Sequence, residues 1–440
     1  MRTGKLGAML AVGVLFASTL LVVSASAESK VRIVRLSDVE GKVQIDRTTG
    51  AGFEKAFLNL PVIEGSHLKT GKDGRAEVEF ENSSALRLGP DSELVFTHLA
   101  LGADGQKLNT VQLISGTAYA NVRENKGDQF QLNFAKESIA VPEAAHFRVV
   151  LNDTDATLAV FKGNVNASGP SGKFDVAEKH SASMDLVDPD PANKKAFVVA
   201  KNYEQESLDG WDRQQNDYHD RYASAGGSSL NSPYGYGVSD LNYYGNFMMI
   251  PGYGYGWQPF FMDANWNPFM DGAWAWYPGM GYTWVSAYPW GWMPYYYGNW
   301  GFFPGYGWAW QPGNWNAFYG VPRVVNPPAK VSLPIAPLSG RQTVMVGKGL
   351  TTNPAITSSK LTINPGSAGF GVPRSVRHLD RVAKTMQRTS APVRVSAQPP
   401  VQASNTGFGT SSPMAGGTSA TRSTMSAPHG TPSHSPGPHR

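Results

Sequence analysis

Residues 241–320 leave this chain few folds to choose from. Of these 80 residues, 30 are Trp, Tyr or Phe and 14 are Gly, and the only charges are Asp263 and Asp271. The segment also repeats itself. WNPFMDGAW (266–274) and WMPYYYGNW (292–300) share the frame W-x-P-[FY]-x-x-G-x-W, and the likeness runs on at an offset of 26 through Trp276-Tyr277-Pro278-Gly279 and Phe302-Phe303-Pro304-Gly305. An earlier copy, with Gly245, Phe247, Pro251, Gly252 and Trp257, matches Gly272, Trp274, Pro278, Gly279 and Trp284 at an offset of 27. About three copies of one unit are present.

Each copy predicts a β-hairpin. A strand through G-x-W leads to a Pro-Gly turn, whose Gly takes the positive φ of a type II turn, and a second strand ends in the next Trp. A lone hairpin is marginal, so the repetition is expected to build a meander or small aromatic sheet. The rings have two uses: packing on one another, or stacking on a sugar ring or apolar polymer. A segment of this size keeps much of its surface wet. Trp266, Trp274, Trp292 and Trp300, at repeat-equivalent positions, are the residues expected to face such a ligand. Without Lys or Arg beside the rings, nucleic acid is not an expected partner.

Upstream, residues 31–185 read as short β runs near ten-residue spacing, which predicts a sandwich or roll. In AEVEFENSSALRL a reversal at Ser83 pairs Val78 with Leu88, Phe80 with Leu86 and Glu79 with Arg87. That places Glu77, Glu79 and Glu81 on a solvated strand face. Between 192 and 223, Phe197, Tyr203, Leu208, Trp211, Gln215, Tyr218 and Tyr222 recur at three- to five-residue steps, so one amphipathic helix is predicted, centred on 204–222. Gly226-Gly227-Ser228-Ser229 reads as a hinge.

Charge divides the chain. Residues 321–440 carry 13 Lys or Arg against one acid, Asp380, whereas 28–320 carry 23 basic and 33 acidic residues. This Pro-, Ser- and Thr-rich tail is expected to be disordered and to meet an anionic polymer or lipid, or the acidic body itself. His429, His434 and His439 sit five apart in it, which gives no fixed metal geometry. No cofactor, metal or catalytic residue is assigned, because no nucleophile, metal or phosphate-loop motif with its partners is found.

At the other end, Arg2 and Lys5 precede an apolar run over 6–23 and Ala25-Ser26-Ala27, the pattern of a signal peptide cleaved after Ala27. Export to the periplasm or cell surface is expected. With no Cys, the exported chain has no disulfide framework and no thiol nucleophile.

Two resemblances add to this reading. Ser37-Asp38-Val39-Glu40-Gly41-Lys42-Val43, then Leu60-Pro61-Val62-Ile63-Glu64-Gly65-Ser66-His67-Leu68-Lys69-Thr70-Gly71, Gly74-Arg75-Ala76-Glu77-Val78-Glu79-Phe80 and Ala85-Leu86-Arg87-Leu88-Gly89-Pro90-Asp91-Ser92-Glu93-Leu94 together resemble the FecR domain. Well-known members of that family are sensors that couple an outer-membrane receptor to a sigma factor through a cytoplasmic N-terminal domain and a membrane span. Here about five residues precede the apolar run. Leu208-Asp209-Gly210-Trp211-Asp212-Arg213, Asp240-Leu241-Asn242-Tyr243-Tyr244-Gly245-Asn246-Phe247 and the repeats are similar to a Trp-rich domain of unknown function that accompanies FecR domains.

The expected architecture is mainly β. It comprises a signal peptide (1–27), a FecR-like β-sandwich or roll (28–188), a linking helix (189–232), a Trp-rich β-hairpin repeat module (233–320) and a disordered basic tail (321–440). The expected function is non-enzymatic: binding or scaffolding in the cell envelope, with an envelope glycan or protein as partner. The alternative is a FecR-type signalling component contacting a receptor or sensor.

Overall fold

The computed structural model describes residues 32–124, 126–170, 172–187, 197–223, 230–348 and 360–398. The predicted signal peptide, the hinge at 226–229 and His429, His434 and His439 lie outside them. Among the described residues no helix is long and apolar enough to cross a membrane.

The chain adopts the mainly β architecture expected of it, beginning with two sheets that share one strand. Lys107–Val122 is 16 residues long. Its first half pairs with Glu93–Leu101 and, in parallel, with Gln129–Phe134. Its second half pairs with Ala85–Leu88 and Ala145–Leu151. The crossing point is Gly116, whose φ of 84° suits glycine; a Cβ there would lie 2.4 Å from Ser92 Oγ. Alternate residues of both sheets, among them Val78, Leu86, Phe96, Val111, Phe147 and Val149, fill the core.

The hairpin at 75–88 differs from its predicted register. Val78 pairs with Leu86, Glu77 with Arg87 and Glu79 with Ala85, because the turn is tighter than expected: Ser83 adopts φ 64° and the Phe80 N–H already bonds Ser84 O. The shift is two residues, so every side chain keeps its face. The environment of that face is the larger correction. Glu77, Glu79 and Arg87 are 0, 1 and 0% exposed, and Glu81 is buried as well. The helix Asp209–Ala223 covers this surface, and it presents to it a polar stripe, Asp212, Asn216 and His219, at i, i+4 and i+7.

The three predicted hairpins are present as Gly245–Ile250 with Gly254–Pro259, Gly272–Tyr277 with Gly281–Ser286, and Asn299–Phe303 with Gly307–Gln311. Their turn glycines Gly252, Gly279 and Gly305 have φ of 78, 77 and 76°. Repeat-equivalent rings face each other across each hairpin: Phe247 and Trp257, Trp274 and Trp284, Trp300 and Trp310. They do not form one meander. The first and third hairpins join in a five-stranded sheet through Trp257 and Trp310, and the middle one forms a three-stranded sheet with Val344–Val346. Trp290 sits between them, with ring centroids 4.9 Å from Trp257, 5.0 Å from Tyr288 and 5.8 Å from Trp300.

Residues beyond 320, expected to lack structure, are ordered on the body over 321–348 and 360–398. Val324–Val325 and Val344–Val346 extend the two aromatic sheets. Lys360–Ile363 pairs with Val393–Ser396, and the helix Leu379–Thr389 buries Leu379, Ala383 and Met386. Composition underestimated this region because its few apolar side chains are supplemented by hydrogen bonds to the aromatic module: the Tyr244 hydroxyl donates to Val372 O, Tyr243 to Val376 O and the Trp290 indole to Ala368 O.

If the tryptophans are core rather than ligand platforms, Trp300→Ala should lower unfolding free energy by about 3–5 kcal/mol, read by denaturant titration. A loss below about 1 kcal/mol, the ordinary cost at an exposed position, would contradict the packing.

Candidate functional site

Trp266, Trp274, Trp292 and Trp300, the residues expected to stack a ligand, are 3, 1, 0 and 0% exposed. Trp266 and Trp300 pack on each other and on Trp290. Trp274 meets Trp284 edge-on at 5.3 Å, and Trp292 lies among Tyr236, Tyr296 and Phe318. No ring face of these four is open to a ligand. The positions were chosen for equivalence in the repeat, and equivalence here reflects a shared place in the core. The wet rings that the segment's size demands are instead at the hairpin tips: Tyr253 and Tyr255 on the first, 49 and 51% exposed beside an exposed Met249, and Phe302 and Tyr306 on the third.

The densest chemistry lies where the first sheet, the helix Asp209–Ala223, the short helix Val238–Tyr244 and the 372–376 segment meet. Glu77 is its centre. Its Oε2 accepts from Arg87 Nε at 2.7 Å, and its Oε1 accepts from Arg374 Nη1 at 2.8 Å and faces His219 Nε2 at 3.0 Å. Arg87 continues to Asp212 at 2.7 Å, and Asp212 to His146 at 2.6 Å. On the other side Asp240 is held by Arg374 at 3.1 Å and by Arg35 at 2.6 Å. Arg35 reaches Glu79 and also donates to Pro289 O in the aromatic module.

Burial alone would raise these carboxyl groups, but surrounding cations prevail. Glu77 is held well below its ordinary range by His219, Arg87 and Arg374, Asp240 is lowered by Arg374 and Arg35, and Asp212 by Arg87 and His146. Sequence spacing located Arg87 and the glutamates but not their partners. Asp212 and His219 alternate with the aromatic stripe that dominated the helical pattern, Asp240 lies beyond it in the short helix Val238–Tyr244, and Arg374 lies nearly 300 residues from Glu77 in a stretch where no local signal marks it.

Further polar bonds fix the sandwich to the aromatic module. Asn59 Nδ2 donates to Ser286 O and Tyr288 O, Arg47 to Trp276 O, and the Tyr277 hydroxyl to Pro61 O. All described residues fall in one compact unit. The network's edge opens on a cleft of about 70 Å³ lined by Asp38, Glu40, Gln215, Tyr244, Arg374 and Ser375. Asp38 differs from its neighbours: burial, and next Glu40, push its carboxyl up from 3.8 to about 7. Across the network six carboxyl groups, Asp38, Glu40, Glu77, Glu79, Asp212 and Asp240, meet four guanidinium groups, Arg35, Arg75, Arg87 and Arg374.

A carboxyl raised in the folded state binds its proton more tightly there than in the unfolded chain. Its contribution to stability is present below 3.8 and is lost as the pH rises to about 7. Asp38→Asn, which mimics the neutral acid, should therefore gain stability relative to the parent as the pH rises through this window, levelling off above it. A difference in Tm that does not change with pH across the window would contradict this assignment.

Comparison with known proteins finds two family matches in the chain. Residues 66–166 match the model of the FecR protein family, and residues 238–337 that of a family of unknown function, DUF6600. No curated protein matches the chain. Two crystal structures of a "putative anti-sigma factor" from Parabacteroides distasonis, at 1.65 and 2.50 Å resolution, are similar to it at 14% identity and a TM-score of 0.27. The alignments cover 32% of this chain and 61 and 63% of theirs, so this chain spans about three fifths of the length of those relatives. The chain carries a FecR domain followed by a domain of the DUF6600 family.

Proposed function

We propose that this chain is a non-enzymatic, exported FecR-type component of the cell envelope that acts by binding, its FecR domain and aromatic module presented to a partner as one body. The observation that carries this reading is where the ionisable side chains are placed. Glu77, Glu79, Arg87, Asp212, Asp240 and Arg374 are groups from which acid–base chemistry is ordinarily assembled. Here they are engaged with one another and hold the modules together.

What remains outward is suited to contact. The hairpin tips offer Met249, Tyr253, Tyr255, Phe302 and Tyr306 to an envelope protein or glycan. On the helix Leu379–Thr389, Arg381, Lys384 and Arg388 are exposed at i, i+3 and i+7, opposite buried Leu379, Ala383 and Met386. That stripe favours an anionic polymer or lipid. The FecR match over 66–166 favours a second, more specific reading, a regulatory FecR-type component whose partner is a receptor or sensor.

The test uses residues 28–440, immobilised and titrated with purified envelope proteins, peptidoglycan fragments and anionic vesicles, with product formation assayed in parallel. Saturable binding to one class without turnover is expected, and a receptor or sensor as the bound class selects the regulatory reading. Turnover of any of these materials by the purified chain would contradict the proposal.

A further inference from the structure

The three aromatic hairpins are alike in sequence, yet they are not finished alike. In the middle copy the outer edge of Gly272–Tyr277 is paired with Val344–Val346, in the register Gly272 with Val346, Ala273 with Met345 and Trp274 with Val344. The covering segment adds the Arg341 guanidinium 4.7 Å over the Trp276 ring, and the Tyr282 hydroxyl donates to Gln342 O. In the third copy the equivalent edge, Trp300 and Gly301, is paired with Val324 and Val325, and the Trp300 N–H bonds Arg323 O. Both edges are thus closed by a short valine-bearing strand, antiparallel in the middle copy with Arg341 three residues before Val344, and parallel in the third with Arg323 directly before Val324.

The first copy has the same strand, with Gly245, Phe247 and Met249 at the positions of Gly272, Trp274 and Trp276. Gly245–Ile250 pairs with Gly254–Pro259 on one side and is the end strand of its sheet on the other. Among the described residues, no backbone bond reaches its outer edge from another segment over 246–249. Met249 stands exposed on that strand at the position of the middle copy's guanidinium-covered ring, with exposed Tyr255 opposite it on the neighbouring strand. An open, flat, apolar edge invites another strand, and proteins commonly blunt such edges with charge. Here there is none: the strand Gly245–Ile250 contains no charged residue.

We propose that the outer edge of Gly245–Ile250 is a docking site for an extended, β-branched segment of a partner protein, bearing a basic residue N-terminal to its valines and added as a further strand. The mode is β-strand addition, in which main-chain bonds supply affinity and alternate side chains supply selectivity. The chain demonstrates it twice with its own residues. A second copy of this protein fits the edge less well, because the same strand brought by a copy carries no guanidinium to lie over the exposed rings. This inference rests on the reading that the chain acts by binding, but it concerns one edge, so its failure leaves the FecR domain and the basic helix free to serve that function.

The probe is a labelled peptide of residues 341–348, RQTVMVGK, titrated into the full chain and followed by fluorescence anisotropy. Saturable binding is expected, weakened at least about tenfold by Met249→Lys, which adds repulsive edge charge, and by a proline in place of Met345 in the peptide, which removes a ladder donor. Met249 is exposed, so the variant should keep the near-UV circular dichroism of the buried tryptophans; Asn246→Lys, also exposed, serves as the second variant. No binding would overturn the proposal. So would binding that Met249→Lys and Asn246→Lys leave unchanged, since the peptide would then be exchanging with residues 344–346. A concentration-dependent dimer abolished by Met249→Lys would assign the edge to a second copy and overturn the partner strand.

Discussion

A carboxylate removed from water has to be met by cations at hydrogen-bond distance, and in this chain the requirement falls on Glu77. It is satisfied by three regions at once: Arg87 from its own hairpin, His219 from the helix Asp209–Ala223 and Arg374 from the C-terminal segment. Arg374 and Arg35 then share Asp240, and Arg35 reaches into the aromatic module at Pro289. A buried ion pair is weak evidence for stability as such, because well-packed apolar groups could do as well; removing one partner, however, strands the other without compensation. The parts are thereby obliged to stay together. The same obligation explains why a hairpin that displays alternating charge lies inside the molecule.

Much of the architecture was legible in the sequence. Pro-Gly pairs at 251–252, 278–279 and 304–305 impose turns that little else satisfies, and the three hairpins lie where the repeat puts them. The Glu77 face was misread for a physical reason: period-two charge looks the same whether it meets water or a helix bearing the opposite pattern. The helix shows the converse. Leu208, Trp211, Tyr218 and Tyr222 announced it, while Asp212, Asn216 and His219, equally periodic and equally interior, looked like a solvent face. The order over 360–398 was hidden because its anchors, Arg374 and the carbonyls of Val372 and Val376, depend on partners more than a hundred residues away.

The aromatic module changes meaning in the structure. Its tryptophans were candidates for a recognition surface, and the repeat frame instead places them in pairs across each hairpin and around Trp290. In the proposed binding role, recognition falls to residues the frame does not emphasise: the exposed tyrosines and methionine just outside the Pro-Gly turns, and the edge strand that no described residue covers. Regions beyond 320 are then part of the module, since they complete two of its three edges.

Arg374 joins the FecR domain to the rest of the molecule through Glu77 and Asp240. The most direct test is denaturant unfolding of Arg374→Ala in the full chain, followed in parallel by Trp fluorescence, which reports mainly on the aromatic module, and by far-UV circular dichroism, which is dominated by the sheets. A loss of about 3–5 kcal/mol is expected in both signals. An unfolding midpoint unchanged from the parent would mean that the residue sits in a solvated tail, and would contradict this linkage.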